Sequence, residues 1–150
     1  MNAFAETSFF CALYRVQDNS PEAYRLAERL KDSFTVSSLV IFEFRQSVRL
    51  QTFRFSADRK QGYSPQEAAR LLNALQANID CGALQVAPVD WPDVYNIAEG
   101  LSAQLTAANG FRSLDLLHVA TALHLKAAQF LTFDARQSAL AKAAGLKVRP

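Results

Sequence analysis

FRSLDLLHVATALHLKAAQFLTFDARQSALAKAAGLKVRP, residues 111–150, reads as helix, buried strand, helix and short strand. Asp115 stands in the first turn of the first helix and Asp134 where the strand FLTF ends. They are the only two acids in a stretch that is otherwise basic. Carboxylates at strand ends and helix starts of an α/β chain are the donors a divalent cation needs. The stretch therefore sets a question for the residues before it: whether they supply partners for these two acids.

Working outward, strand and helix candidates alternate. Ala3-Phe4-Ala5 is a short apolar strand, followed by the helix FFCALYRVQ with Thr7 or Ser8 as its cap. Ser20-Pro21 opens a second helix, and Phe34-Thr35-Val36 is a second strand. Ser38 opens the long amphipathic helix 39–55, LVIFEFRQSVRLQTFRF. Ser64-Pro65-Gln66-Glu67 is a capping box that starts a helix over 65–78. Ala83 to Val89 reads as a third strand. A helix from Pro92 to Asn109 then stops at Gly110, Ser113 caps the helix carrying Asp115, and Gly145 stops the last helix. This order predicts one domain over 1–150: a three-layer α/β/α sandwich with a central, mostly parallel sheet. Ligands of such sheets collect at the carboxyl ends of the strands.

Length and composition are those of a single globular domain with a sizeable core. No apolar run is long enough to span a membrane, and MNAFAETSFF lacks the basic start of a secretory signal. Cys11 and Cys81 have no metal-ligand spacing and are expected to be reduced and buried in a cytoplasmic protein. The net charge of +2 hides an alternation of −2, +4, −4 and +4 over residues 1–44, 45–70, 71–110 and 111–150. Basic blocks of this kind suit a polyanion, and equally an ordinary solvated helix face.

Four acids stand apart because of their neighbours. Glu6 follows a strand, Glu43 lies inside VIFEF, Asp115 inside SLDLLHVA, and Asp134 follows FLTF. A buried carboxylate needs a partner or an ion. Each alone has an ordinary explanation as a cap or a complement to a helix dipole, but the chain order allows all four to converge. Other chemistries lack their parts. His118 and His124 do not share a helix face, so they are no zinc pair, and His118 reads as a packed, hydrogen-bonded histidine one turn beyond Asp115. There is no phosphate-binding glycine loop and no nucleophile elbow.

The segments AETSFFCALY, VSSLVIFEFRQSV, SLDLLHVATALHL and FLTFDARQSALAKAAGLKV, in this order and spacing, resemble a PIN-domain ribonuclease. They are most similar to the small VapC-like toxins of toxin–antitoxin pairs. The resemblance implies an acid cluster that binds Mg²⁺ or Mn²⁺ and cleaves RNA. Glu6, Glu43, Asp115 and Asp134 match its four acids, with Glu6 and Asp115 as the most direct metal ligands. Thr7 or Ser8 matches the hydroxyl beside the first acid, and Thr132 the one before the fourth. It also implies a homodimer and a cognate antitoxin, with helices 39–55 and 65–78 as the surfaces. Arg45, Arg49, Arg112 and Arg136 are candidate RNA phosphate contacts, and Phe53 and Phe55 candidate stacking residues. One departure stands out: the family's first acid is Asp, and this chain has Glu6. The longer stem implies a displaced metal or weaker Mg²⁺ use. A PIN-like module that binds without turnover is therefore the alternative, ahead of a phosphotransfer domain, for which only Lys147 is suitably placed.

Overall fold

A computed structural model describes residues 3–30 and 34–150. Eleven elements alternate as β1 (Ala3–Ala5), α1 (Thr7–Tyr14), α2 (Ser20–Leu30), β2 (Phe34–Thr35), α3 (Ser38–Ala57) and α4 (Pro65–Asp80). They continue as α5 (Trp91–Asn109), α6 (Ser113–His124), β3 (Gln129–Leu131), α7 (Ala135–Ala143) and β4 (Lys147–Arg149). The sheet order is β2-β1-β3-β4 and every pairing is parallel. In register, Phe4 lies beside Thr35 on one side and Phe130 on the other. The crossovers from β1 to β2 and from β3 to β4 run in opposite directions across the sheet. With the usual right-handed turn the first places α1–α2 on one face, and the second, with the β2-to-β3 connection that runs the same way and ends in α6, places α6–α7 on the other, which is the expected sandwich.

β1 and β3 are buried at every position, as strands covered on both faces must be. Phe4 and Phe130 stack between them at 5.9 Å, while Phe9 stacks on Phe133 at 5.6 Å. Phe10, Tyr14 and Phe44 form a second aromatic knot where α1 meets α3. Each such ring contributes about 1.5–3 kcal/mol through burial. No helix among the described residues is long and apolar enough to cross a membrane.

Several local expectations change. The strand expected over 83–89 shrinks to one bridge, Val86 to Val36, because 81–84 is a turn and Pro88 has no N–H to extend a ladder. α1 ends at Tyr14 rather than Gln17, and its cap is Glu6 rather than Thr7 or Ser8. α3 is capped by Ser37, one residue earlier than expected, and Ser113 is the first residue of α6 rather than its cap. The Ser64–Glu67 capping box and the left-handed Gly110 stop are both present. Cys11 is buried as expected, but Cys81 is exposed at the end of α4, and both are free thiols. Between α3 and α4, Gly62 has φ +70 and packs so close to the Gln51 carbonyl that a Cβ would lie 2.0 Å from its oxygen.

Candidate active site

Glu6 leaves the carboxyl end of β1, and Asp134 follows β3, its neighbour in the sheet. The two loops are stitched together. Glu6 N–H donates to Leu131 O at 3.2 Å and Phe133 N–H to Ser8 Oγ at 2.9 Å, and the Ser8 and Thr132 hydroxyls lie 3.4 Å apart. Thr132 Oγ1 in turn accepts the Asp134 N–H at 2.9 Å. Ser8 and Thr132 thus brace the floor of the site, which accounts for hydroxyls at both positions.

Three helix N-termini converge on this floor, each carrying an acid. Glu6 caps α1 and Asp134 caps α7, while Asp115 lies in the first turn of α6 and receives a hydrogen bond from the Arg112 backbone. Free N–H groups and the positive end of each helix dipole let carboxylates gather here at tolerable cost. Asp115 and Asp134 are close enough to act on each other. Burial first, and the Asp134 charge second, push the Asp115 carboxyl above the ordinary aspartate value.

Glu6 behaves differently. It is 1% exposed, and both of its oxygens are occupied. Oε1 accepts from the Ser8 and Phe9 N–H groups at 3.0 and 3.2 Å and from the Ser8 hydroxyl. Oε2 accepts from Ser8 N–H and from the side-chain amide of Gln137, each at 3.0 Å. The added methylene of glutamate lets the carboxylate fold back over its own helix. Burial raises its pKa, and the Ser8 bonds only partly oppose that.

Glu43 reaches the site from α3. His118 Nε2 and the Thr7 hydroxyl both bond its Oε2. An ionised carboxylate only accepts, so Nε2 carries the shared proton. Burial acts to raise the Glu43 pKa, but the His118 hydrogen bond and charge, with Thr7, outweigh it and hold the group below the ordinary value. His118 is the packed helix histidine expected from the sequence, 1% exposed, and it is also a member of the site. Gln137 was not among the residues the sequence singled out. Its only signal there is its position three residues after a capping aspartate.

The arginines divide. Arg112 precedes α6 and its charge is felt by Asp115, while the Arg136 N–H donates to Asp134 at 2.7 Å. Arg45 instead bonds Gln76 at 2.7 Å, and with Arg49, Ile41 and Phe42 it lines a groove of about 380 Å³ that none of the four acids borders. Phe53 is exposed, whereas Phe55 is half-buried beneath Arg59.

Among the described residues, no three His, Cys, Asp or Glu side chains stand together as a complete metal-ligand set. A hard ion such as Mg²⁺ is commonly held by one or two carboxylates, the remaining positions being filled by waters and substrate oxygens. The donors present fit that mode. Asp134 Oδ2 has no protein donor among the described residues, and Asp115 lies within electrostatic reach of it.

A parallel sheet whose carboxyl end gathers acids from three helix N-termini defines a class of acid-site α/β domains. The PIN domain profile matches residues 3–143, and the chain belongs to that family of nucleases. The fold is similar to FitAcB from Neisseria gonorrhoeae, with TM-score 0.64, 16% identity and coverage of 99% of this chain and 96% of the other. It is also similar to VapBC2 from Rickettsia felis bound to a DNA fragment from their promoter, with TM-score 0.68, 14% identity and coverage of 99% and 98%. VapBC-1 from nontypeable Haemophilus influenzae gives 0.64, 15%, 99% and 97%. No curated protein sequence matches the chain significantly.

Proposed function

We propose that this chain is a metal-dependent endoribonuclease and the toxin of a toxin–antitoxin pair. The observation that carries this reading is the placement of Asp115 in the first turn of α6 and Asp134 at the N-cap of α7, both helices flanking β3 in the parallel sheet of a PIN domain. A divalent ion, Mg²⁺ or Mn²⁺, would be held by these two carboxylates. When bound it supplies Lewis-acid polarisation of a phosphodiester and a more acidic water.

The chain's own residues complete the reading. Glu43, kept ionised by His118 and Thr7, presents Oε1 with no protein donor among the described residues, so it can orient a water or accept its proton. Glu6 acts mainly as the cap that fixes α1 and the Ser8–Thr132 floor, and it reaches an ion only if the Ser8 and Gln137 bonds open. Arg112 and Arg136, at the starts of α6 and α7, meet RNA phosphates at the mouth. The structures named VapBC and FitAcB support an antitoxin partner by fold. The exposed Phe42 and Phe53 on α3 support this helix, with α4, as the dimer or antitoxin surface. Two free thiols accord with a cytoplasmic setting.

The saturated Glu6 carboxylate favours one second reading, a PIN domain that binds RNA or protein with little turnover. Incubating purified, antitoxin-free protein with a mixed RNA pool and Mn²⁺, Mg²⁺ or EDTA, beside Asp115→Asn, separates the two. Ion-dependent cleavage lost in the variant supports the nuclease. A folded wild type inactive with both ions leaves the binding module.

A further inference from the structure

Away from the four acids, one concavity of about 270 Å³ is lined by Glu22, Arg25, Leu26 and Arg29 of α2 and by Arg149 and Pro150 at the end of β4. Residues 22, 25, 26 and 29 follow helical spacing and therefore share one face of α2. Arg25 and Arg29 are an i,i+4 pair of like charge, an arrangement that costs a helix a few tenths of a kcal/mol. Among the described residues, none of the three arginines makes an ion pair or hydrogen bond through its side chain, and all three are exposed. Glu22 is the one acidic side chain on the wall, which Pro150 with its α-carboxylate also lines. Three unpaired guanidinium groups around a hollow are the arrangement that receives phosphate oxygens.

Its place in the fold says which phosphate. The Arg149 carbonyl accepts the Thr132 N–H at 3.0 Å, and Thr132 Oγ1 accepts the Asp134 N–H at 2.9 Å. Arg149, on one wall of the hollow, therefore stands at the carboxyl end of β4, one strand beyond β3 and the acid that follows it. We infer that Arg25, Arg29 and Arg149 form a phosphate-binding site for the RNA strand on the β4 side of the acidic pocket. This rests on the ribonuclease reading. It adds a second electrostatic anchor, distinct from Arg112 and Arg136, that sets how many nucleotides of single strand the protein grips.

The test is the affinity of a fluorescent single-stranded oligoribonucleotide for wild type, R25Q/R29Q/R149Q and R25K/R29K/R149K, measured across NaCl concentrations in EDTA. RNA cleavage with Mn²⁺ is followed in parallel. The expected result is at least tenfold weaker binding by the Gln variant. Its salt slope should be shallower by about 2, since each single-strand phosphate that the protein neutralises adds roughly 0.7 to the slope. The Lys variant should keep most of the slope. Unchanged affinity and slope in a Gln variant that melts like wild type overturns the site, even where wild type cleaves RNA. If wild type does not cleave but its RNA affinity depends on the three arginines, the site stands and the nuclease reading fails. A Gln variant that keeps RNA affinity but loses affinity for a poly-glutamate peptide overturns the proposal in favour of an acidic protein partner.

Discussion

The side-chain amide of Gln137 donates to Glu6 Oε2 at 3.0 Å across 131 residues of sequence, tying the cap of α1 to the first turns of α7. That bond, with the Ser8 and Phe9 N–H groups, leaves the first of the four acids with no free oxygen. Substitution there follows from the geometry. Aspartate caps a helix as well as glutamate or better, but its shorter stem cannot reach both Ser8 and Gln137 in the same way. Glu6→Asp is expected to change stability by less than about 1 kcal/mol and, by giving up the Gln137 bond and freeing a carboxylate oxygen that Glu6 does not offer an ion, to raise Mg²⁺-dependent cleavage, read from initial rates and a denaturant melt. A drop in rate would mean that the longer acid is itself suited to the site.

Asp134→Asn retains a good N-cap, because Asn accepts from the Arg136 and Gln137 N–H groups as Asp does. It loses the charge an ion needs. Cleavage should fall by roughly 10- to 100-fold or more with the melting temperature nearly unchanged.

Glu43 gives a pH signature. Its folded-state pKa lies below the ordinary 4.5, so its ionised form contributes stability above that value and loses the contribution as pH falls through the lower folded value. Glu43→Gln should therefore lower stability by about 1–2 kcal/mol at neutral pH. The gap should close as pH drops below 4.5 in acid titrations followed by circular dichroism. A gap that widens in acid would contradict the His118–Glu43 pairing.

The two cysteines should separate cleanly. Cys81 is exposed and Cys11 is buried with its thiol pKa raised by that burial. One equivalent of a thiol reagent should react in the native protein and a second only on unfolding, and Cys81→Ser should abolish the fast phase.

Gly62→Ala places a methyl against the Gln51 carbonyl at a backbone angle that L-residues avoid. A loss of about 1–3 kcal/mol is expected in chemical denaturation, with RNA cleavage per folded molecule preserved.

The sheet was readable from the sequence because β1 is a short apolar run, as is the Phe130-Leu131 part of β3, and because the Ser64–Glu67 box and Gly110 mark helix ends unambiguously. The stretch 83–89 pairs only through Val86, its other apolar residues packing without a ladder, and periodicity cannot tell a strand from an extended packed loop. The four acids stood out by their apolar neighbours, but what each carboxylate bonds to was hidden. The cap on α1 comes from the residue before the hydroxyls, and Glu43 finds His118 from another helix. Arg25 and Arg29 do not stand out because they lie in a segment of net negative charge, and only folding brings Arg149 beside them.

Mn²⁺ binding by wild type, Asp115→Asn, Asp134→Asn and Glu6→Gln, followed by electron paramagnetic resonance of the free ion, tests the division of labour among the acids most directly. Asp115→Asn and Asp134→Asn should each weaken binding by roughly tenfold or more, and Glu6→Gln should leave it within about threefold of wild type. A Glu6→Gln protein that is folded and as deficient in Mn²⁺ as Asp115→Asn would contradict the assignment of the ion to Asp115 and Asp134 alone.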